Sequence, residues 1–135
     1  FCLVGSEMCI RDSNCTVVQM KFNSDFKYDL EVGQVEEKRL AQLLSGATIE
    51  VKRDFLAHKT GNVLVEYESR GRPSGISTTQ AQYWAFMLEG DTIVIIRTDR
   101  LKDKCRAEFQ SGRTTSGGDS DTSKGVLLPV SQLTL

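Results

Sequence analysis

The stretch that decides the fold is residues 48–68, Thr-Ile-Glu-Val-Lys-Arg-Asp-Phe-Leu-Ala-His-Lys-Thr-Gly-Asn-Val-Leu-Val-Glu-Tyr-Glu. Polar and apolar residues alternate at both of its ends, which is the pattern of half-buried β-strands. A short polar loop separates the two runs, so we predict a hairpin whose facing positions sum to about 118. The pairs in this register are Glu50 with Glu68, Lys52 with Glu66, and Asp54 with Leu64. The hairpin would therefore carry four carboxylates and one amine on neighbouring strands.

Length and composition limit the fold to one small α/β domain. The chain has 135 residues, of which 39% are hydrophobic and 26% charged, and this is enough for a single core. A net charge of −1 neither indicates nor excludes nucleic acid, because acidic site residues can cancel a basic rim. No run is long enough for a membrane helix, so we expect no membrane partner. The four cysteines lack metal-ligand spacing, which favours reduced thiols and a cytoplasmic setting.

The N-terminal segment differs from the rest of the chain. Residues 2–13 resemble a peptide that is translated from sequencing adapter at the ends of metagenomic reading frames. This resemblance implies that the natural protein begins at Met20. We therefore expect residues 1–19 to be a non-native or disordered extension, and residues 20–135 to form a single domain.

A helix is predicted from Gly33 to about Leu44, because Ser45-Gly46 is a typical helix end. Its apolar stripe is formed by Leu40, Ala41 and Leu44. Helical spacing puts Glu37 on the same stripe, so we expect its carboxylate to face the sheet. The alternative is that Glu37 lies near the helix start and simply reaches solvent.

The remaining chain predicts further helices and strands around the hairpin. A capping box at Thr79 and an apolar run predict a helix to Leu88, and the β-branched run 91–98 predicts a strand buried on both faces. Residues 99–109 have helical spacing, residues 110–125 have loop composition, and residues 126–130 predict an edge strand. The expected fold class is α/β, with a mixed central sheet flanked by helices.

The acidic face of the hairpin has the chemistry of a magnesium site. Mg²⁺ keeps several waters and needs only two or three carboxylates from the protein. It offsets the charge of a phosphodiester under attack, and a nearby lysine can position the nucleophile. Without a cation these acids would repel one another at neutral pH. The predicted metal ligands are Glu50, Asp54 and Glu66, the catalytic set adds Lys52 and Glu37, and Glu68 is a further candidate.

The order helix-Glu, strand-acid, strand Glu-x-Lys resembles the PD-(D/E)XK nuclease superfamily. Residues 65–70, Val-Glu-Tyr-Glu-Ser-Arg, are similar to the Glu-x-Lys-Ser-Arg strand end of archaeal Holliday-junction resolvases, with Glu68 where the lysine usually stands. Lys52 on the preceding strand would supply the ammonium group instead. This chain lacks the Pro-Asp pair of the superfamily's motif, and its lysine is on a different strand. These two departures concern the activity more than the fold. Two choices stay open. The acid on the strand before the Glu-x-Lys strand is either Glu50 or Asp54. Alternatively, Glu50-Val51-Lys52 could itself be the Glu-x-Lys element.

Residues 68–79 together with 117–125 also resemble small nuclease-like proteins of phages. The two resemblances imply a single restriction-endonuclease-like domain, acting in a phage-infected or bacterial cell. Its implied activity is that of a Mg²⁺-dependent DNA endonuclease, with Mn²⁺ as a substitute, acting on branched or junction DNA. Its implied partners are DNA and a second copy of the chain in a homodimer. The predicted phosphate contacts are Arg70, Arg72, Lys59 and Lys124. The alternative is a catalytically inactive DNA-binding or protein-binding domain of the same fold.

Overall fold

The computed structural model describes residues 26–117 and 119–134, and they fall into two units that divide between Gly46 and Ala47. The expectations for residues 1–19 and for a natural start at Met20 lie outside the described residues. The described part of the first unit is one helix, α1 (Phe26–Gly46).

Helix α1 is longer than the sequence predicts, although its end at Gly46 is confirmed. Gly33 lies inside the helix and does not begin it. Leu40 and Leu44 are 53% and 63% exposed, and Glu37 is exposed as well. The prediction that Glu37 points inward from a buried stripe is therefore wrong. Among the described residues of its unit, α1 has no second element against which the stripe could pack.

The second unit contains seven strands and three helices among its described residues. In chain order they are β1 (Ile49–Arg53), α2 (Ala57–Thr60), β2 (Asn62–Ser69), β3 (Arg72–Pro73), β4 (Tyr83–Met87), β5 (Ile93–Arg97), α3 (Thr98–Gln110), β6 (Thr114–Gly117), β7 (Ser123–Pro129) and α4 (Val130–Leu133). Short 3₁₀ turns at Gly75–Ser77, Glu89–Asp91 and Asp119–Asp121 connect some of them. The strands form a three-stranded sheet, β1-β4-β5, and a four-stranded sheet, β3-β2-β7-β6.

The predicted hairpin does not form, because β1 and β2 lie in different sheets. Strand β1 pairs in parallel with β4, so that Lys52 is opposite Phe86 and not opposite Glu66. The connection between β1 and β2 is the cause. One oxygen of Asp54 accepts the backbone N–H groups of Leu56 and Ala57, both at 2.9 Å, and so starts the helical turn α2. This turn separates the strands, where a tight hairpin loop would have joined them.

Strand β4 replaces a helix that the sequence predicts. Its run Tyr-Trp-Ala-Phe-Met hydrogen-bonds to a strand on each side, in parallel to β1 and antiparallel to β5. Trp84 and Phe86, each 1% exposed, point into the core, whereas Ala85 lies on the opposite face. Aromatic residues favour strands when the sheet packs them, so this pairing outweighs the helical signal of the capping box.

Strand β5 confirms a strand within residues 91–98, but its predicted burial on both faces is wrong. Within residues 26–117 and 119–134 its one strand partner is β4, so it forms an edge of the three-stranded sheet. Ile93 and Ile95 remain 53% and 36% exposed on the face that is turned away from the core. The continuous apolar run therefore marks a strand with one buried face, which carries Ile96.

The core lies between the two sheets and α3. Strands β2 and β7 bring Val63 opposite Leu128 and Val65 opposite Val126, and these four side chains are at most 2% exposed. Helix α3, which confirms the prediction for residues 99–109, adds Leu101 and the free thiol of Cys105. Burial, with the nearby Glu108 carboxylate, raises the pKa of Cys105 to about 12, so the thiol stays neutral.

The mixed α/β class is confirmed, but the expected single central sheet is wrong, because the strands form two sheets that share one core. Part of the predicted loop 110–125 is also β-structure, since it contains β6 and the beginning of β7. None of the described helices is long and apolar enough to cross a membrane.

Candidate functional site

Strand β1 brings Glu50 and Lys52 to the same face of the three-stranded sheet, because alternate residues share a face. The Lys52 ammonium lies 2.9 Å from one oxygen of Glu50. It also lies 5.5 Å from the centre of the Trp84 ring, which fits a cation–π contact. The side chains of Lys52 and Glu50 are 43% and 28% exposed, so the pair is open to solvent and to a ligand.

Glu66, on the four-stranded sheet, lies near this pair. One of its oxygens accepts a 2.7 Å hydrogen bond from the Ser74 hydroxyl, and Ser123 donates a second bond to the carboxylate. Glu66 is close enough to Lys52 and Glu50 for their charges to change its pKa. The structure therefore brings together three of the five predicted catalytic residues, Glu50, Lys52 and Glu66, although the hairpin that was expected to join them is absent.

Residues 74–79, Ser-Gly-Ile-Ser-Thr-Thr, form a hydroxyl loop that holds both carboxylates. Ser74 binds Glu66, and the Thr79 hydroxyl donates a 2.8 Å hydrogen bond to the second oxygen of Glu50. Gly75 has a φ of +52°, and a Cβ atom there would collide with the backbone oxygen of Glu66. The loop thus approaches β2 more closely than any residue with a side chain would allow.

Hydrogen bonding keeps both carboxylates ionised. Burial alone would raise the pKa of Glu50, but hydrogen bonds from Lys52 and Thr79 and the charge of Lys52 outweigh it, and the pKa is lowered. The pKa of Glu66 is lowered chiefly by hydrogen bonds from Ser74 and Ser123. Burial opposes this shift, the charge of Lys52 favours it, and the charge of Glu50 opposes it. At neutral pH the cluster therefore contains two carboxylates and one ammonium group.

Trp84 adds an unsatisfied polar atom to this region. Its indole Nε1 is buried and has no hydrogen-bond partner among the described residues. Trp84 is the β4 residue paired with Glu50, and its ring lies beneath Lys52. Buried N–H groups are nearly always satisfied in proteins, so a water or ligand oxygen is the expected partner.

Asp54 has a different environment from the other predicted ligands. Besides the two amides that start α2, its second oxygen accepts the Leu64 N–H at 3.2 Å. The predicted proximity of Asp54 and Leu64 is thus confirmed through a side-chain contact. The Asp54 carboxylate therefore accepts three backbone N–H groups, and these hydrogen bonds make it a structural link between β1, α2 and β2.

The predicted phosphate contacts lie in two places. Arg70 and Gly71 form the turn between β2 and β3, and both have positive φ, as a type I′ turn requires. Arg72 and Lys124 lie beside this turn, because each pairs with one of the last two residues of β2. The Lys124 ammonium lies 2.7 Å from Glu68, which places Glu68 in an ion pair. Lys59 lies on α2, before the beginning of β2.

The fit to magnesium rests on two carboxylates. Among the described residues, no group of three or more His, Cys, Asp or Glu side chains could hold a metal ion. Mg²⁺ commonly takes one or two carboxylates and completes its shell with water and substrate phosphate, so the donor chemistry of Glu50 and Glu66 is compatible with such an ion. Glu37 belongs to the other unit and is exposed on α1.

The residues that sequence analysis missed are hydroxyls and an aromatic ring, namely Ser74, Thr79, Ser123 and Trp84. The clustering of hydroxyl residues around Gly75 is the available signal, but the sequence analysis uses only the neighbouring Arg70 and Arg72, as phosphate contacts. Trp84 was assigned to a core helix.

Comparison with known proteins gives no assignment for this arrangement, because no family model, curated protein or solved structure matches the chain.

Proposed function

We propose that this protein is a Mg²⁺-dependent DNA endonuclease with a catalytic set of the PD-(D/E)XK type, acting in the cytoplasm of a bacterial or phage-infected cell. The observation that carries the proposal is the convergence of Glu50, Lys52 and Glu66 from two separate sheets onto one partly exposed place. An acid–acid–lysine set of this kind is what the resemblance of residues 65–70 implies. Mn²⁺ would substitute for Mg²⁺, and DNA and a second copy of the chain are the proposed partners.

Each side chain in the cluster has a defined task in phosphodiester hydrolysis. Lys52 places a positive charge where a phosphate oxygen gains negative charge during attack. Glu50 and Glu66 would hold the cation and would accept hydrogen bonds from the attacking water. Ser74 and Thr79 fix the two carboxylates, so that little reorganisation is needed when substrate binds. When bound, Mg²⁺ offsets the phosphate charge and makes water a better nucleophile.

The cations at the end of the four-stranded sheet support a nucleic-acid substrate. Arg70 and Arg72 are exposed at the β2–β3 turn, four and six residues beyond Glu66 in the chain. Arginine contacts to phosphate position a duplex without specifying its sequence. A branched or junction DNA would offer phosphates both to this turn and to the cluster.

A second candidate function is DNA binding without cleavage. The observation that favours it is the 2.9 Å contact between Lys52 and Glu50, because an ammonium group bound this closely competes with a metal for the same carboxylate. Such a protein would bind branched DNA equally well in EDTA and in Mg²⁺.

Plasmid nicking tests the proposal and separates the two candidates. The wild-type chain should nick supercoiled plasmid in Mg²⁺ and not in EDTA. Glu66→Gln keeps the acceptor for Ser74 but removes the charge, so we expect at least about a 100-fold loss of nicking. The matched control is Glu89→Gln, which removes the same charge from an exposed carboxylate outside the cluster and should nick at the wild-type rate. Binding without nicking in Mg²⁺ or Mn²⁺ would instead support the second candidate.

A further inference from the structure

A groove of about 460 Å³ opens between α3, the 3₁₀ turn at Gly75–Ser77, and strands β2 and β7. This volume is within the range that binds small organic ligands. The groove belongs to the second unit alone. It is not part of the carboxylate cluster, but its wall includes Tyr67, which directly follows Glu66 in the chain.

The inner wall of the groove is apolar and aromatic. Ile76 and Val126, at 6% and 2% exposure, belong to the hydrophobic core and form its floor. The rings of Tyr67 and Phe109 meet edge to face, with their centres 5.5 Å apart. Phe109 is nevertheless 52% exposed, so an aromatic surface faces solvent where a planar ring could stack on it.

The rim of the groove is basic. Lys102 and Arg106 are four residues apart on α3, which puts them on one side of the helix. Arg106 contacts Asp103 at 2.8 Å, but both side chains are about 70% exposed, and ion pairs this exposed exchange partners at little cost. The groove therefore combines an aromatic wall with two cations at its mouth, which complements a planar ring carrying a phosphate.

We propose that this groove binds one unpaired nucleotide of a DNA strand. The base would stack on Phe109 and Tyr67, and its phosphate would lie at Lys102 and Arg106. Ser77 and Ile76 line the groove and belong to the same loop as Ser74 and Thr79, which bind the two carboxylates, so the groove and the cluster adjoin one loop. The inference rests on the proposed function and adds its substrate class: DNA with an extruded or unpaired nucleotide close to the cut.

Nuclear magnetic resonance with the full chain tests the groove without any cleavage. Titration with 2′-deoxyadenosine 5′-monophosphate in EDTA should shift the amide signals of Ser77, Cys105 and Phe109. Phe109→Ala should weaken the binding of both the nucleotide and deoxyadenosine about tenfold, because both lose the stacking surface. Lys102→Ala should weaken the binding of the nucleotide roughly fivefold and leave the affinity for deoxyadenosine unchanged. Arg100→Ala removes the same charge from α3 outside the groove and should change neither affinity.

Equal nucleotide affinity in the wild type and Phe109→Ala would overturn the inference. So would shifts produced by decanoate, an apolar anion without a ring, at concentrations where the nucleotide produces none.

A second titration asks whether the nucleotide can belong to a strand. In EDTA, the fluorescence of a single unpaired 2-aminopurine in a duplex should be quenched on binding, and this duplex should bind about tenfold more tightly than its fully paired counterpart. Phe109→Ala should remove that difference. Equal affinity of the wild type for both duplexes would contradict the inference while leaving nicking of plasmid intact. Absence of nicking with an intact preference would instead contradict the proposed function alone.

Discussion

At the scale of single residues, Lys52 connects the parts of the candidate site. Its ammonium group contacts Glu50 and lies over the Trp84 ring, and its positive charge helps to lower the pKa of Glu66. Sequence alternation could show that Glu50 and Lys52 share a face, because that depends only on the period of one strand. It could not show how Lys52 comes near Glu66, because two separate sheets bring them together.

The lowered pKa values of Glu50 and Glu66 predict a pH dependence of stability. Both groups have an ordinary value of 4.5 and titrate below it in the folded protein. Their contribution to the free energy of unfolding is therefore fully present above pH 4.5 and is lost as the pH falls through the lowered values. Urea unfolding of the wild type should show this loss between about pH 5 and pH 3.

Glu66→Gln supplies the comparison, because glutamine cannot be protonated in this range. The variant should lose less stability on acidification than the wild type does. Parallel curves for the wild type and Glu66→Gln would contradict the assigned hydrogen bonding of Glu66 to Ser74 and Ser123.

At the scale of elements, the hydroxyl loop depends on Gly75. Gly75→Ala combines a positive φ with a collision against the backbone of Glu66, so we expect a loss of about 3 kcal/mol in the free energy of unfolding. Gly71 also has a positive φ, +74°, but a Cβ atom there would meet nothing within 4 Å. Gly71→Ala should therefore cost only about 1 kcal/mol. Equal losses in urea unfolding would show that the loop does not pack on β2 as described.

The turn between β1 and β2 depends on Asp54, whose two oxygens accept three backbone N–H groups. In Asp54→Asn one oxygen becomes an NH₂ group, which faces a backbone donor in either orientation of the amide. We expect a loss of about 1–2 kcal/mol in the free energy of unfolding, measured in urea. A variant as stable as the wild type would contradict the structural role of Asp54 and leave its role as a ligand to be tested by nicking.

The predictions are correct for elements that local sequence determines and wrong for elements that strand pairing determines. Strand β2 and helix α3 match their predictions because alternation and helical spacing are local signals. Strand β4 was missed because Tyr-Trp-Ala-Phe-Met is apolar throughout, and such a run does not distinguish a buried strand from a helix. Its parallel partner β1 is more than thirty residues away in the chain, which local patterns do not encode.

At the scale of the whole molecule, the candidate site exists because two sheets share one core. Val63 and Val65 from one sheet and Trp84 and Phe86 from the other are part of the same buried cluster. Packing these faces together brings the end of β2, with Glu66, near β1, with Lys52. The sequence predicted the mixed α/β class and the candidate residues Glu50, Lys52 and Glu66. The division into two sheets follows from long-range packing that one sequence does not reveal.

The most direct test of the nuclease proposal is plasmid nicking by Lys52→Met in Mg²⁺. Methionine keeps an apolar stem over Trp84 and removes only the charge, so folding should survive, as checked by circular dichroism. The proposed role of Lys52 predicts a fall in nicking rate of about 100-fold relative to the wild type. Wild-type nicking by a folded Lys52→Met chain would contradict it.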